Sequence, residues 1–304
     1  MKNKRIELTK QKIIAIILCL TVVVSFFGYH IFQQYQEQER IRIAEEKAEA
    51  KRKKAYEDTK ELRKEIDAYI DSWGVSESQI TVCVRDIEND CIVYERNADQ
   101  WMRAGSIYKL PISMLWFDKF NSGEAKITDE IYYNRRKYYQ EVGSLGLHKT
   151  GDILTYEEVI RTTILESDNT GGQILFQTYG GWNKYRKDAL KYTDVDMGNR
   201  FMLQKNYMTA RYTTDVSTYL YRHRDEYKEL IEWLKQAVPH QVLDTVIQVN
   251  MPQKFGTMEL YKNGTGFVEA KHPYAISVFT LGMVDPASNR MGRINEFCYE
   301  YFNQ

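Results

Sequence analysis

Apolar residues run almost unbroken from Ile13 to Phe32, with Lys12 before them and a polar stretch from Gln33 after. At about 1.5 Å of rise per residue, about 20 helical residues match a hydrocarbon core of roughly 30 Å, so this pattern predicts a membrane anchor over 13–32. "SFFGYHIF" offers no small-residue cleavage site and Leu18 before Cys19 does not suit a lipoprotein, so the anchor is expected to stay uncleaved. Basic residues flank both ends, and charge leans only slightly toward a cytoplasmic tail over 1–12. From Gln33 onward Glu, Lys, Arg, Gln and Ala dominate without Gly or Pro, a composition that favours helix but presents no continuous apolar face. A solvated helical stalk over 33–62 follows. Its broken heptad of Ile41, Ala44, Ala48 and Ala55 supports weak self-association at most.

Beyond the stalk the spacing changes. "ELRKEIDAYIDSWG" keeps Leu62, Ile66, Tyr69 and Ile70 on one helical face and ends at Gly74, whereas "ITVCVRDIENDCIVYER" alternates on either side of "ENDC" as two antiparallel strands would. Helical spacing returns from Ser106 to about His240, with Gly-containing loops at 143–151 and 180–181. Strand-like runs at about 249–260, 265–270 and 274–281 then precede a final amphipathic helix, "PASNRMGRINEFCYEYF". An α/β (α+β) domain over 63–304 is expected, with a sheet lobe from 63–103 and 245–304 and a helical lobe from 104–244.

Composition narrows the chemistry. The chain has 304 residues, 43% of them hydrophobic, enough for a sizeable core. Its 42 basic and 42 acidic residues cancel, so no global field argues for a nucleic-acid partner. Cys19, Cys83, Cys91 and Cys298 form no CxxC pair, and the five histidines are scattered, so neither a metal site, a cofactor nor a histidine triad is expected. Cys83 and Cys91 flank the predicted hairpin, but its expected register does not set them opposite each other.

Two polar motifs interrupt the helical region. "AGSIYKLP" places Ser106 and Lys109 on one face at the start of the apolar helix that continues through Leu115, Trp116 and Phe120. An SxxK pair arises about once by chance in a chain this long. A lysine drawn into an apolar helix must nonetheless be paired or lose its proton, and a neutral amine can take the proton of a serine hydroxyl. "SDN" at Ser167, Asp168 and Asn169 lies between the buried stretches "VIRTTIL" and "TGGQIL", where its polar groups need partners or cap a helix.

With these motifs in order, together with "GSLG" at 143–146, "TAR" at 209–211 and the late strand "HPYAISVFT", the region from Leu62 to Tyr301 resembles the serine β-lactamase and penicillin-binding protein superfamily, closest to class A β-lactamases. The resemblance implies a five-stranded antiparallel sheet flanked by N- and C-terminal helices, plus an all-helical lobe. It also implies a third motif, K[ST]G, on a strand. Both "KFGT" (Lys254–Thr257) and "KNGTG" (Lys262–Gly266) approach it. Lys254 is preferred, because it leaves room for its own strand, a turn at "YKNG" and two further strands; Lys262 would sit in an Asn-Gly hairpin turn.

By resemblance, Ser106 attacks a carbonyl, Lys109 takes its proton, Ser167 relays a proton to the leaving nitrogen, and Lys254 attracts a substrate carboxylate. Asn169 holds a substrate amide, the N–H groups of Ser106 and Thr257 form the oxyanion hole, and Gly256 lets the ligand lie close. The implied ligands are β-lactams or cell-wall peptides ending in D-alanine, met outside the cytoplasm. Two departures stand out. Phe255 replaces the usual hydroxyl residue, and no ExxLN motif lies between Asn169 and Thr209, where Asp188, Asp194 and Asp196 are the only acids. Deacylation is therefore expected to be slow. The alternative is a degenerate member of the same fold that binds or senses cell-wall ligands without turnover.

Overall fold

The structure is a computed structural model. It describes residues 2–203, 205–247 and 249–304, those at 2–17, 19, 20, 22–24, 284 and 285 by backbone only. Half of the side chains of the expected anchor over Ile13–Phe32, and all those of the tail over 1–12, lie outside the described residues. Among the described residues no helix is long and apolar enough to cross a membrane. The chain divides into two compact units, Met1–Lys54 and Ala55–Gln304. Helix α1 (Lys2–Asp58) accounts for the first, where Arg42 reaches Glu39 at 2.5 Å and Glu46 at 2.6 Å along the helix surface.

The compact second unit begins at Ala55, within the segment over 33–62 expected to be a solvated stalk. Ala55 and Thr59 are already buried, and α2 (Lys60–Asp71) continues with Leu62, Ile66 and Ile70 on the same core. Burying each of these three larger side chains contributes about 1.5–3 kcal/mol before conformational entropy is counted.

Strands β1 (Ile80–Asp86) and β2 (Cys91–Arg96) form the predicted hairpin, with Cys83 opposite Glu95 and Cys91 opposite Asp86. Strand β3 (Met102–Arg103) pairs with β6 (Tyr207–Met208), and β4 (Glu130–Tyr132) pairs with β5 (Ile153–Thr155). The lobe expected to be all helical thus also contains short strand segments; Ile131 and Leu154 face each other across the second ribbon and are buried together. Strands β7 (Gln253–Met258), β8 (Tyr261–Val268) and β9 (Tyr274–Leu281) complete the main antiparallel sheet in the order β2-β1-β9-β8-β7.

The turn expected at "YKNG" lies instead at Glu259–Leu260, and Tyr261–Gly264 belong to β8. Burial decides this. The Asn263 amide donates to the Arg103 carbonyl at 2.9 Å and accepts from the Thr280 amide at 3.3 Å, while a side chain at Gly264 would come within 2.9 Å of Leu243.

Helices α3 (Lys109–Ser122), α4 (Arg135–Tyr138), α5 (Tyr156–Leu165), α6 (Asn169–Tyr179), α7 (Trp182–Ala189), α8 (Gly198–Phe201), α9 (Ala210–Arg222) and α10 (Lys228–Ala237) follow one another through the middle of the chain. Helix α11 (Val284–Phe302) packs beside α2 on one face of the sheet. Helix α9 covers the opposite face through small hydroxyl residues. Thr213 donates to Ser277 at 3.0 Å, and Ser217 and Thr265 bond at 2.9 Å, so these hydroxyls find partners across a close helix–sheet approach.

Candidate active site

The cleft forms where a tight turn meets the sheet's outer strand. Gly105–Tyr108 make a 3-10 turn that delivers Ser106 and runs into α3, whose Pro111 sits in the first turn, where its missing N–H costs little. Gly105 has φ +58, which glycine adopts without strain. A Cβ there would press on Gly256 C and Thr257 N, both at 3.0 Å, and one on Gly256 would strike the Ala104 carbonyl and come within 2.9 Å of Ser106 N. Turn and strand therefore lie backbone to backbone, which gathers the amides of Ser106 and Thr257 in one small region. Alternation from the two-residue turn after Met258 aims the Thr257 N–H away from β8, toward the open edge.

Lys109 is fully buried at the start of α3. Its Nζ lies 3.0 Å from Ser106 Oγ, 2.5 Å from the Ser167 carbonyl, 2.7 Å from Asn169 Oδ1 and 3.5 Å from Ser167 Oγ. Each of these partners is neutral. Burial lowers the lysine from its ordinary 10.5 to about 7, against the opposing pull of the nearby Asp168 carboxylate. Near neutral pH a large fraction of this amine can accept a proton.

Ser167 sits in the left-handed region at φ +55, a conformation that costs a non-glycine residue about 1 kcal/mol or more. The cost brings both its carbonyl and its hydroxyl toward Lys109. Asp168 caps α6 and points away from the cleft, accepting from Gly171 N at 2.7 Å and Leu145 N at 2.8 Å. That carboxylate occupies the space that a side chain at Gly143 would need, which accounts for the glycine of "GSLG" with its φ of +103. Asn169 links the two sides of the cleft, accepting from Lys109 and donating to the Glu141 carbonyl at 2.9 Å.

Lys254 enters from the strand and is also fully buried. Its Nζ donates to Ser167 Oγ at 3.1 Å and to the Phe255 carbonyl at 3.0 Å, and lies 4.1 Å from the centroid of the Phe255 ring. Burial, reinforced by the nearby Lys109, holds it well below the usual lysine range. Lys262 is instead half-exposed on β8, opposite Thr257. Ser106, Lys109, Ser167, Asn169 and Lys254 are thus joined by direct hydrogen bonds, with Gly256 and Thr257 against the serine's turn.

No sequence pattern pointed to Arg186. It is fully buried on α7, donates to Asn206 Oδ1 at 2.5 Å, and Asn206 donates to the Gly105 carbonyl at 2.6 Å, directly behind the Ser106 turn. Its guanidinium lies 4.5 Å from the ring centroids of Trp182 and Phe201. Among the described residues its Nε and Nη1 have no hydrogen-bond partner, and burial lowers its pKa. Nothing in "WNKYRKDA" distinguishes it from Lys184 or Lys187.

The acids after Asn169 lie elsewhere. Asp188 bonds Tyr179 and Lys184, Asp194 lines a separate cavity with Arg85 and Asp215, and Asp196 caps the turn at Gly198. Glu166 is held by the Ser144 amide at 2.9 Å. Among the described residues no group of His, Cys, Asp and Glu could hold a metal ion.

The model of the Beta-lactamase2 family, described as the beta-lactamase enzyme family, matches residues 61–302. The chain belongs to this family of β-lactamase-like serine hydrolases. Its fold is similar to that of TLA-1 extended-spectrum β-lactamase, with a TM-score of 0.70 at 18% identity over 81% of this chain and 99% of that one. A class A β-lactamase from Bacteroides cellulosilyticus aligns with a TM-score of 0.67 at 18% identity, over 80% of this chain and 98% of the other. A mutant of PBP-A, solved as an acyl-enzyme complex with penicillin G, aligns at 0.68 and 16% identity over 80% and 96%. No curated protein matches the chain. Phe255, where the resemblance implied a hydroxyl residue, lies with its ring 4.1 Å from the Lys254 amine.

Proposed function

We propose that the chain is a membrane-anchored serine acyl-transfer hydrolase acting on β-lactams or on cell-wall peptides ending in D-alanine, and that it releases the acyl group slowly. One observation carries the reading: the Lys109 amine lies 3.0 Å from Ser106 Oγ, and its hydrogen-bond partners are all uncharged. Ser106 Oγ bonds to the acyl carbon while its proton passes to Lys109. Negative charge develops on the carbonyl oxygen beside the N–H groups of Ser106 and Thr257. As the carbon–nitrogen bond breaks, the leaving nitrogen takes the Ser167 hydroxyl proton, which Lys109 replaces across 3.5 Å. Lys254 keeps the Ser167 hydroxyl in place. Asn169 retains one free donor and one free acceptor position for a substrate amide.

Hydrolysis of the acyl-enzyme requires a base for water, and no carboxylate is bonded to Ser106 or Lys109 among the described residues. Intact mass after exposure to a fluorescent penicillin tests both steps: an adduct on Ser106 that persists is expected, and a folded chain that forms none overturns the reading. The same missing carboxylate favours a second reading, a binding or sensor module. That reading requires saturable ligand binding unchanged by Ser106→Ala.

The anchor reading draws on the apolar run over 13–32 and on Phe26, Phe27, Tyr29, Ile31 and Phe32, all exposed on the helix. A single-pass topology puts the catalytic unit outside the cytoplasm, with any pairing through the stalk weak. Full-length chain found in the soluble fraction, and not extracted from membranes by detergent, would dismiss it.

A further inference from the structure

A lysine ammonium has three N–H donors. At Lys254 one goes to Ser167 Oγ, one to the Phe255 carbonyl, and the ring of Phe255 covers the nitrogen from 4.1 Å. The side chain has no solvent-exposed surface through which a substrate could reach the remaining N–H. The residue that would otherwise add a hydroxyl beside it is Phe255 itself. Arg103, a further cation near the end of this strand, is already paired with Glu259 at 2.8 Å. Placing a carboxylate against Lys254 would desolvate it without a bond from that amine in return, which is unfavourable for a charged group.

We propose that the cleft gives no advantage to a carboxylate beside the scissile bond, so that esters or amides with uncharged leaving groups acylate Ser106 as readily as their free-acid counterparts. A β-lactam or a D-alanyl peptide then reacts without help from its carboxylate. Lys254 acts only on Ser167. The inference rests on Ser106 being the acylated nucleophile. The low basicity of Lys254 agrees with it, because a neutral amine attracts an anion less than an ammonium does.

The test compares benzylpenicillin with its methyl ester on the full chain, following the Ser106 adduct by intact mass. Each rate is divided by that compound's own rate of alkaline hydrolysis. The corrected rates are expected to agree within about threefold in the wild type. Phe255→Thr, which uncovers the amine and adds a hydroxyl, should raise the acid-to-ester ratio about tenfold, the size of one charge-assisted hydrogen bond. Phe255→Leu, which keeps an apolar side chain, should raise it less. A wild-type preference for the free acid of about tenfold or more overturns the inference while leaving the acyl-transfer reading intact, and its loss in Lys262→Ala would locate the carboxylate at Lys262. If neither compound labels Ser106 in folded protein, the acyl-transfer reading falls and takes this inference with it.

Discussion

Lys109 and Lys254 reach one cleft from opposite walls, the first from a helix start and the second from an edge strand, and both are fully buried. Desolvation depresses both amines. Their neighbours differ. Lys109 faces a serine hydroxyl on a turn pressed against the strand, so its proton has a productive exchange partner. Lys254 is enclosed by a hydroxyl, its neighbour's carbonyl and an aromatic ring. Burial lowers both amines, and in the proposed reading the group each one touches makes Lys109 the base and Lys254 a clamp.

The comparison can be broken most directly at its ends. Lys109→Met is expected to slow acylation by about a thousandfold, within the range of a lost general base, and Ser106→Ala to abolish it; both are read by intact mass. If Lys254→Met were as damaging as Lys109→Met, the distinction between base and clamp would fail. Acylation should also rise with pH through about 7 as Lys109 loses its proton, so that lowering the pH from 8 to 5 costs about a hundredfold. A flat profile would rule out this amine as the base.

Stability offers an independent reading of the same group. Between about pH 7 and pH 10 Lys109 is largely neutral in the folded chain and still protonated in the unfolded one. The unfolded state binds more protons in that window, so stability against denaturant should climb with pH there. Lys109→Met should remove part of the climb. Gly256→Ala pushes the strand off the Ala104 carbonyl and the Ser106 amide, and a displacement of about 1 Å should cost about a hundredfold in acylation. Lys254→Met should cost about tenfold, measured as the rate of adduct formation. Lys262→Ala, on a half-exposed side chain, should change that rate by less than about threefold.

Much of this was legible because it is local. The spacing of Leu62, Ile66 and Ile70 produces one buried helical face, alternation in "ITVCVRD" produces a strand, and Ser106 and Lys109 one turn apart meet wherever that turn is helical. The start of the compact unit at Ala55, inside the segment expected to be a solvated stalk, was not legible, because packing rather than composition sets it. The "YKNG" turn misled because Asn-Gly favours a hairpin only when its side chains are free, and Asn263 is committed to Arg103 and Thr280.

The sequence by itself therefore determined the longer elements, their order and the two short motifs at 106–109 and 167–169, since these depend on periodicities within a few residues. Only the tertiary structure decided which of Lys254 and Lys262 reaches Ser167, that Phe255 lies over its amine, that Arg186 and Asn206 bond behind the Ser106 turn, and that the acids following Asn169 lie away from Ser106. These outcomes depend on groups separated by 20 to 101 residues, or on which way a strand's side chains and edge finally face. Chain closure over such distances is governed by the packing of the whole domain, and no short-range pattern encodes it.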